Sequence, residues 1–569
     1  MEDNRTKWLI ALGALVGLCL MTLLCVLGVG GMAFYNTQRG EVGVESGPNS
    51  EQPRESTGGE EGGPTVRKSS NELVVLGADP PTLDPALASD ATSAAYIVEI
   101  FSGLVTLNTE LEVVADIARE WEVSDDGTLY TFFLNEGVRF ANGSPLTAED
   151  FKYSIERACD PSTQSPVADT YLGDIVGCRD KLRGESSEVS GIRVVNEQTV
   201  EVQIDAAKVY FLAKLTYPTA YVVDQETIEQ EGRLWATKNP NGAGAFQLEE
   251  YSFGEKLVLI PNENYHGSPK PSVERITYVL SGGSAMTMYE TDEIDIVGVG
   301  LADLDRVQDP SSPLNRELRE FESLSVGYIG LNAALPPFDD LLVRQAFNMA
   351  IDKEKLIEVV VRDTVAPAYG ILPPGLPGYN AELEGLRYDP DKARELLEQS
   401  SYGGPEGLPD ITLHVSGAGG GTAAEVEAII EMWKQELGVE VSIEQTEWAT
   451  FLFDVSRRPN PYQAFSIGWI GDYPDPENFL DILFHCDSLD NKTGYCNEEV
   501  DALLEQARVE QDHDRRMELY QQAEEIIVEE GAWVPLWFNQ GYVLIKPWVK
   551  DYMLPLTIVP LMKYVKIEH

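Results

Sequence analysis

Histidine, the most common general base of enzymes, occurs only five times in the 569-residue chain. The five are His266, His414, His485, His513 and His569. None of them lies in a zinc-protease motif, and the chain has no Gly-x-Ser-x-Gly elbow and no nucleotide-binding phosphate loop. With 94 Asp and Glu residues, close acidic pairs arise by chance and do not indicate a glycosidase. The sequence therefore predicts a protein that is not an enzyme and that uses no metal or cofactor.

A glycine-rich run at 417–421 comes closest to a phosphate-binding loop. It follows a strand-like segment at 411–415 and precedes a helix, but it lacks the Lys-Ser or Lys-Thr pair that such a loop needs. We predict a flexible turn at this position.

One carboxylate is placed where it could bind a ligand. Residues 464–470 form an apolar, strand-like run that ends directly in Gly471, Asp472 and Tyr473, and prolines follow. Such a segment places Asp472 at a rigid strand end, where it could hold an ammonium group by a charge-assisted hydrogen bond. Aspartate is also a common turn residue, and the local sequence alone favours that simpler role.

The elements that must position such a residue are strands and helices mixed along the chain. Segments with alternating polar and apolar residues are predicted strands at 199–204, 275–280, 411–415 and 439–443. Segments with apolar residues at helical spacing are predicted helices at 147–158, 389–397, 426–437 and 519–527. The first of these helices begins with a capping-box pattern formed by Thr147 and Asp150. A chain of this length exceeds one hydrophobic core, so we predict a mixed α/β protein with several lobes.

The net charge of −52 comes from 94 acidic and 42 basic residues. A polyanion of this size is repelled by phosphate backbones, which excludes nucleic acid as a partner. The first 70 residues carry a net charge of only −2, so −50 belongs to residues 71–569. A solvated acidic surface is the simplest interpretation, and steering of a positively charged ligand at low salt is the alternative.

The N-terminal region predicts a membrane anchor. Residues 8–34 contain no charge and are rich in Leu, Val, Gly and Ala, so they are long enough to span a bilayer as a helix. This length favours a retained helix over a cleaved signal peptide, although Gly31 to Ala33 resemble a cleavage site. Arg5 and Lys7 precede the span, so we expect the N-terminus inside the cell and the rest outside. Residues 36–70 are rich in Gly, Pro, Ser and Glu and predict a flexible linker.

Four cysteines of the exterior part form two close pairs, Cys159 with Cys178 and Cys486 with Cys496. Outside the cytoplasm, such pairs predict two disulfides, each closing a short loop. Four free thiols, or a zinc site with histidines, are the alternatives, but no metal-binding spacing supports zinc.

Several motifs follow one another in the order of a known family. They are Ala78–Pro85, Trp121–Thr128, Gly137–Gly143, Leu146–Phe151, Asn241–Phe246, Val343–Asp352, Gly468–Pro476, Asn497–Asp501 and Val534–Trp537. On these motifs, almost the whole chain after residue 70 resembles the extracytoplasmic solute-binding proteins of peptide ABC transporters, the oligopeptide- and dipeptide-binding family 5.

This resemblance implies a two-lobed, hinged α/β fold of the type II periplasmic-binding-protein class, with an extra domain inserted in the first lobe. The expected divisions are a tip and anchor at 1–35, the linker at 36–70, lobe one at 71–101, 240–325 and 535–569, the inserted domain at 102–239, and lobe two at 326–534. In such proteins the ligand contacts both lobes only when they close around it.

The resemblance also implies a function: capture of peptides between the lobes and delivery to an ABC importer. Expected partners are a two-subunit permease and, through it, cytoplasmic ATPases, and the expected state is a membrane-anchored monomer with an extracytoplasmic binding domain. The positions that correspond to the ligand site are Asp472 for the ammonium, Trp469, Ile470, Gly471 and Tyr473 beside it, and Ser89, Asp90 and Ala91 on the opposing edge.

Two alternatives remain at this stage. Some relatives bind oligosaccharides, haem or metal chelates on the same scaffold, and Trp448, Trp469 or Tyr473 could stack on sugar rings. An anchored hydrolase is the alternative from another class, and the absence of a nucleophile–base motif opposes it. Some oligopeptide binders carry a Glu at the position of Ser89 and an Arg near Ser466; because neither is present, the resemblance does not imply a ligand length.

Overall fold

The computed structural model describes residues 69–417, 422–554 and 556–569. The predicted membrane helix at 8–34, the linker apart from its last two residues and the predicted turn apart from Gly417 lie outside these ranges. Within them, no helix is both long and apolar enough to cross a bilayer. All described residues belong to one compact unit, Thr65–His569.

Strands and helices are numbered separately in chain order. The strands are β1 (Glu72–Leu76), β2 (Val105–Leu107), β3 (Val113–Ala115), β4 (Ala118–Val123), β5 (Leu129–Leu134), β6 (Ile192–Asn196), β7 (Thr199–Gln203), β8 (Phe246–Ser252), β9 (Lys256–Pro261), β10 (Arg275–Val279), β11 (Ile296–Gly298), β12 (Leu318–Leu331), β13 (Val365–Pro367), β14 (Ile411–Ser416), β15 (Val441–Thr446), β16 (Ala464–Ile470), β17 (Trp533–Ile545), β18 (Val549–Lys550) and β19 (Lys566–Ile567).

The helices are α1 (Ala91–Ile100), α2 (Ala148–Ala158), α3 (Ala168–Leu172), α4 (Cys178–Leu182), α5 (Phe211–Lys214), α6 (Gln225–Glu231), α7 (Trp235–Lys238), α8 (Ala285–Glu290), α9 (Leu304–Gln308), α10 (Leu341–Met349), α11 (Lys353–Leu356), α12 (Pro390–Gln399), α13 (Ala424–Leu437), α14 (Trp448–Val455), α15 (Asp481–Phe484), α16 (Glu498–Val509) and α17 (His513–Glu529). Short 3-10 turns lie at Pro218–Ala220, Gly232–Leu234, Pro313–Arg316, Pro405–Gly407, Pro476–Asn478 and Met562–Tyr564, and a π-helical turn at Ile357–Val361.

An eleven-stranded mixed sheet runs through the described part, in the order β15-β14-β16-β12-β17-β11-β1-β10-β9-β8, with β13 beside β17. A separate four-stranded antiparallel sheet, β4-β5-β7-β6, packs against α2 around its own core. The predicted strands and helices are present with end shifts of a few residues, as is usual at element ends. The mixed α/β prediction is confirmed.

Two unusually long strands connect the halves of the large sheet. β12 has 14 residues and β17 has 13, and they pair at both ends. Residues 318–322 pair with 540–544 in the half that holds β11 and β1, whereas residues 326–330 pair with 533–538 beside β16. The register shifts between Glu322 and Val326, where the ladder is interrupted. The two strands are therefore not continuously paired between the halves of the sheet.

The capping-box prediction shows how local sequence fixes an element. Asp150 accepts hydrogen bonds from the backbone N–H and the hydroxyl of Thr147, at 2.8 and 2.9 Å. Thr147 is the N-cap, and α2 begins directly after it at Ala148. Phe151, Ile155 and Ala158 are buried on one face of this helix and pack in the core of the four-stranded sheet. Two local features together specify this helix: the side-chain hydrogen bonds of the capping box at its first turn, and the apolar stripe along one face.

Both predicted disulfides form, Cys159 with Cys178 and Cys486 with Cys496. The first joins the end of α2 to the start of α4, and both of its cysteines are fully buried. It closes a loop of 19 residues, which restricts the unfolded chain.

We expect the Cys159→Ser/Cys178→Ser variant to lose about 3 kcal/mol of unfolding free energy, because a loop of this length is then no longer constrained. Urea unfolding of the oxidised wild type and the variant measures the loss. Thiol labelling of the native, unreduced protein should modify none of the four cysteines. Four reactive thiols in the native form would contradict the disulfide assignment.

Candidate functional site

Asp472 lies two residues after the end of β16, and hydrogen bonds of its backbone and of Gly471 hold it in place. Its backbone N–H donates to the side-chain oxygen of Asn478 at 2.9 Å. The N–H of Gly471 donates to the carbonyl of Leu324 at 2.7 Å, and the Gly471 carbonyl accepts from the hydroxyl of Thr557. A side chain at Gly471 would meet the ring of Phe479 at 2.9 Å, so glycine is required there. These contacts fix the direction in which Asp472 leaves the strand.

The carboxylate of Asp472 has neutral hydrogen-bond partners. It accepts from the hydroxyl of Tyr171, which lies on α3, and from the side-chain amide of Asn478 at 3.1 Å. In the described ranges no Lys, Arg or His forms an ion pair with it. Burial raises the pKa of Asp472 to about 7, against the two hydrogen bonds, and Asp490 acts in the same direction as burial. A carboxylate without a counter-ion in such surroundings is suited to bind a cation.

Two stacked tyrosines connect Asp472 to the segment predicted on the opposing side. The rings of Tyr171 and Tyr217 lie 3.8 Å apart and nearly parallel, at 7°. Tyr217 donates its hydroxyl to the carbonyl of Ala88 at 3.1 Å, next to Ser89. Stacking of this kind adds stability beyond simple burial, so the pair forms a rigid wall between the two predicted ligand-binding segments.

The predicted opposing segment divides into exposed and structural residues. Ser89 and Ala91 are exposed, whereas Asp90 is buried and caps α1 by accepting from the N–H of Ser93 at 3.0 Å. Asp90 therefore has a clear structural role at this helix start.

β16 has one paired edge and one largely open edge. Its residues from Ala464 to Ile470 pair with β12, but β14 pairs only with Ala464 and Phe465. In an antiparallel strand, the backbone N–H and C=O groups of successive residues point alternately to the two edges. Because Gly471 donates its N–H to β12, the backbone groups of Ile470 and Gly468 point to the open edge. No strand of the described part covers this edge from Ser466 to Ile470. An extended chain could pair there, directly beside Asp472.

Trp469 and Tyr473 differ in their access to this edge. Trp469 is half-buried and donates its indole N–H to Asn478 at 3.2 Å. Tyr473 has no exposed surface; it packs with the core of the four-stranded sheet and donates its hydroxyl to Glu477 at 2.5 Å. In this arrangement Trp469 can contact a ligand, whereas Tyr473 supports the site from behind.

A buried ion-pair network lies behind Tyr473, and sequence reasoning did not find it. The ammonium of Lys214 lies 2.8 Å from Glu477 and 3.1 Å from Asp174, and Lys208 lies 2.6 Å from Asp174. Lys214, Glu477 and Asp174 are only 4, 2 and 3% exposed. Nearby, Arg508 makes two hydrogen bonds to Asp481, at 2.6 and 2.7 Å.

The network joins the region predicted as the inserted domain to the region predicted as lobe two. Burial raises the pKa of Glu477, although Lys214 acts in the opposite direction. Burial alone would raise the pKa of Asp174 as well, but Lys214 and Lys208 lower it below its ordinary value. Removing one partner of such a pair would leave a buried charge uncompensated. Thr170 adds a hydrogen bond to Asp490 at 2.8 Å.

The groups around Asp472 are of kinds that recognise a ligand. It combines a carboxylate, an open strand edge and aromatic walls. Among the described residues, no serine, threonine or cysteine side chain is hydrogen-bonded to a histidine, which is the arrangement that activates a nucleophile.

The chain is similar to known proteins in both sequence and structure. Residues 112–491 match the sequence profile of the bacterial extracellular solute-binding proteins, family 5 middle region. The oligopeptide-binding protein OppA of Bacillus subtilis (strain 168) is 29% identical over 494 residues, which cover 85% of this chain and 89% of OppA. The probable deoxycholate-binding periplasmic protein YgiS of Escherichia coli (strain K12) is 30% identical and covers 84% of this chain and 89% of its own length.

Two solved structures of one relative superpose on this structure to different extents. The structure of the Escherichia coli murein tripeptide-binding protein MppA superposes with a TM-score of 0.79, at 28% identity, over 88% of this chain and 99% of MppA. The unliganded open form of MppA superposes with a TM-score of only 0.64 at the same identity, over 88% of this chain and 98% of MppA. The structure described here is therefore more similar to the first MppA structure than to the unliganded open form.

Proposed function

Because the chain belongs to the bacterial extracellular solute-binding proteins of family 5, we propose that it captures peptides for an ABC importer and binds their terminal ammonium at Asp472. The observation that carries this proposal is the partly buried carboxylate of Asp472, which has no cationic partner in the described part and lies at the end of an open strand edge. A ligand ammonium would supply the missing positive charge.

The rest of the peptide would lie along β16. Its backbone would pair with the N–H and C=O groups that Ile470 and Gly468 turn toward the open edge, as an added strand. Backbone pairing gives affinity that depends little on the ligand's side chains, which suits a protein that accepts many peptides. Ser89, Ala91 and the Tyr171–Tyr217 pair would bound the ligand from the opposite side.

Closure would follow from contacts that span both sides of this site. Lobe one is proposed at 71–101, 240–325 and 535–569, the inserted domain at 102–239 and lobe two at 326–534, with bending at the interrupted ladder of β12 and β17. A ligand that contacts both lobes shifts the population toward the closed state. A permease, its ATPases and an anchor at 8–34 complete the proposal and would keep the captured peptide near the membrane.

Native mass spectrometry of the full chain purified from its source in mild detergent tests the ligand class. We expect co-purified masses that fragment as peptides. Bound bile acid, oligosaccharide, haem or metal chelate would instead identify one of the alternative ligands and overturn the peptide proposal.

The affinity for free-amine peptides is expected to be highest between about pH 7 and pH 8. The pKa of Asp472 is about 7, and the ligand-binding form is the carboxylate, so below that pH each unit costs about tenfold in affinity. Above about pH 8 the peptide loses its ammonium proton, because the α-amino pKa is about 7.7–8.0. Calorimetry from pH 5.5 to 9 measures both limbs. A flat profile between pH 5.5 and 7 would exclude Asp472 as the titrating partner.

N-acetylated peptides provide the matched control for the same experiment. Acetylation removes the positive charge and leaves the backbone unchanged, so we expect binding that is weaker by about 10- to 150-fold and that no longer falls on the alkaline side. Equal binding of free and acetylated peptides would contradict the role of the ammonium.

A further inference from the structure

Near the end of β17, the described surface reverses the charge balance of the rest of the chain. A cavity of about 650 Å³ is lined by four basic residues, Arg316, Arg319, Lys546 and Lys550, and by two acidic ones. Over the whole chain, acidic residues outnumber basic ones by 94 to 42. The lining contains none of the residues around Asp472, so this basic pocket is a separate feature.

Three of the four cations have no carboxylate partner in the described ranges. The guanidinium of Arg319 donates to the carbonyls of Arg316 and Leu318, at 3.1 and 2.7 Å. The ammonium of Lys550 donates to the carbonyl of Pro547 at 2.5 Å. The side chain of Arg316 makes no hydrogen bond to a described residue, and all three side chains are exposed. Their positive charge is therefore available to an incoming anion.

The two acidic residues of the lining have different partners. Glu317 accepts the hydroxyl hydrogen of Tyr289, and Asp551 is paired with Lys566 at 2.6 Å. Lys546 is fixed at the pocket by Asp292, at 2.5 Å, and does not contribute free charge. The three cations without a carboxylate partner outnumber the lining carboxylate Glu317, whose hydroxyl partner brings no compensating charge, so the lining keeps a positive excess.

We propose that this basic pocket binds a phosphate group. The planar guanidinium groups of Arg316 and Arg319 match phosphate oxygens with paired hydrogen bonds, and Lys550 adds a third positive charge. The cavity volume exceeds the needs of inorganic phosphate and lies in the range of small-molecule sites, so a phosphoester fits. The phosphoester is either a soluble metabolite or a phospholipid headgroup.

Salt screens the repulsion between an anion and the distant carboxylates of the chain. It screens the attraction between the anion and the basic pocket much less. At physiological ionic strength the Debye length is about 8 Å, so distant carboxylates are screened, whereas the arginines act at hydrogen-bond distance. The pocket can therefore bind an anion although the chain as a whole carries −52.

Calorimetry on the full chain in a non-ionic detergent tests the proposal, with inorganic phosphate, glycerol 3-phosphate and short-chain dihexanoyl phosphatidylglycerol as probes. We expect binding at 0.15 M salt that the Arg316→Gln/Arg319→Gln variant weakens by at least about tenfold. Arg233→Gln, an exposed arginine outside the pocket, serves as the charge control and should bind as the wild type does. Urea unfolding of each variant verifies that the fold is intact.

The three probes also distinguish a soluble phosphoester from a phospholipid headgroup as the natural ligand. Binding of glycerol 3-phosphate without the lipid identifies a soluble phosphoester, and tighter binding of the lipid identifies a headgroup; both outcomes support a phosphate site. Absence of binding by all three probes, or equal weakening by the Arg233→Gln control, would overturn it. Because Asp472 is not part of the pocket, a failure here leaves the peptide proposal unaffected.

Discussion

Replacing Asp472 by asparagine is expected to weaken free-amine peptide binding by about 10- to 150-fold. The change removes the negative charge that pairs with the ammonium, and hydrogen bonds to charged groups contribute about 1.5–3 kcal/mol. The asparagine oxygen can still accept from Tyr171, so the surroundings of the site should remain intact. Calorimetry with free-amine and N-acetylated forms of one peptide measures the loss, which should be confined to the free-amine form.

The same variant is expected to stabilise the ligand-free protein at alkaline pH. The pKa of Asp472 is about 7 in the folded protein and about 3.9 in the unfolded chain, so ionisation disfavours the folded state. This penalty is absent below about pH 4, grows as the pH rises and is complete above pH 7. Asp472 is partly exposed, and after allowance for solvent screening we expect a gain of about 2 kcal/mol at pH 8.

Urea unfolding at pH 4 and pH 8 measures this pH-dependent gain. Asp125→Asn, an exposed aspartate in the turn between β4 and β5, is the matched control and should change neither stability nor affinity. A binding residue that costs stability is typical of functional sites. If Asp472→Asn bound free-amine peptides as tightly as the wild type, the ammonium assignment would be wrong.

Features set by neighbouring residues were predictable from the sequence. The capping box at Thr147, the alternating strands and the close cysteine pairs each depend on a few residues, and all of them are present in the structure. The position of Asp472 at a strand end also followed from a short motif. Local patterns suffice for such elements because their hydrogen bonds and buried faces involve neighbours in the chain.

The surroundings of Asp472 were not predictable in this way. Tyr171 is 301 residues distant in the chain and belongs to a short helix with no unusual pattern. Lys214 and Glu477 are ordinary surface types by composition, and nothing in the sequence indicates that both are buried. Tyr473, a neighbour of Asp472, is part of a core built mostly from residues 86–222. Only tertiary packing brings these side chains together.

The buried network leads to the second large effect. Lys214→Met is expected to cost about 3–5 kcal/mol, because it leaves Glu477 without its cation and removes one of the two lysines at Asp174. Lys434→Met is the matched control: Lys434 pairs with Glu440 at 2.9 Å, but the two side chains are 54 and 81% exposed. An exposed pair contributes at most about 1 kcal/mol, so the control should remain close to the wild type.

The location of Lys214 determines which property of the protein the loss of stability would change. Lys214 lies at the end of α5 and Glu477 lies in the turn that follows Asp472, so separating the two regions also separates the pair. The variant can relieve its unpaired charge by opening, and solvent then hydrates Glu477. We therefore expect a larger radius of gyration in the ligand-free variant by X-ray scattering and a weaker apparent peptide affinity, since only the closed population binds fully.

A double variant separates charge from packing. Lys214→Met/Glu477→Gln removes both charges of the Lys214–Glu477 pair, so it should recover part of the stability and of the compact radius that Lys214→Met loses. Asp174 keeps Lys208 at 2.6 Å in either variant and should not limit the recovery. If the radius of Lys214→Met equalled that of the wild type while stability fell, the pair would support the fold without biasing closure. The free energy that the Lys214–Glu477 pair contributes to stability would then be independent of the conformational change that peptide capture requires.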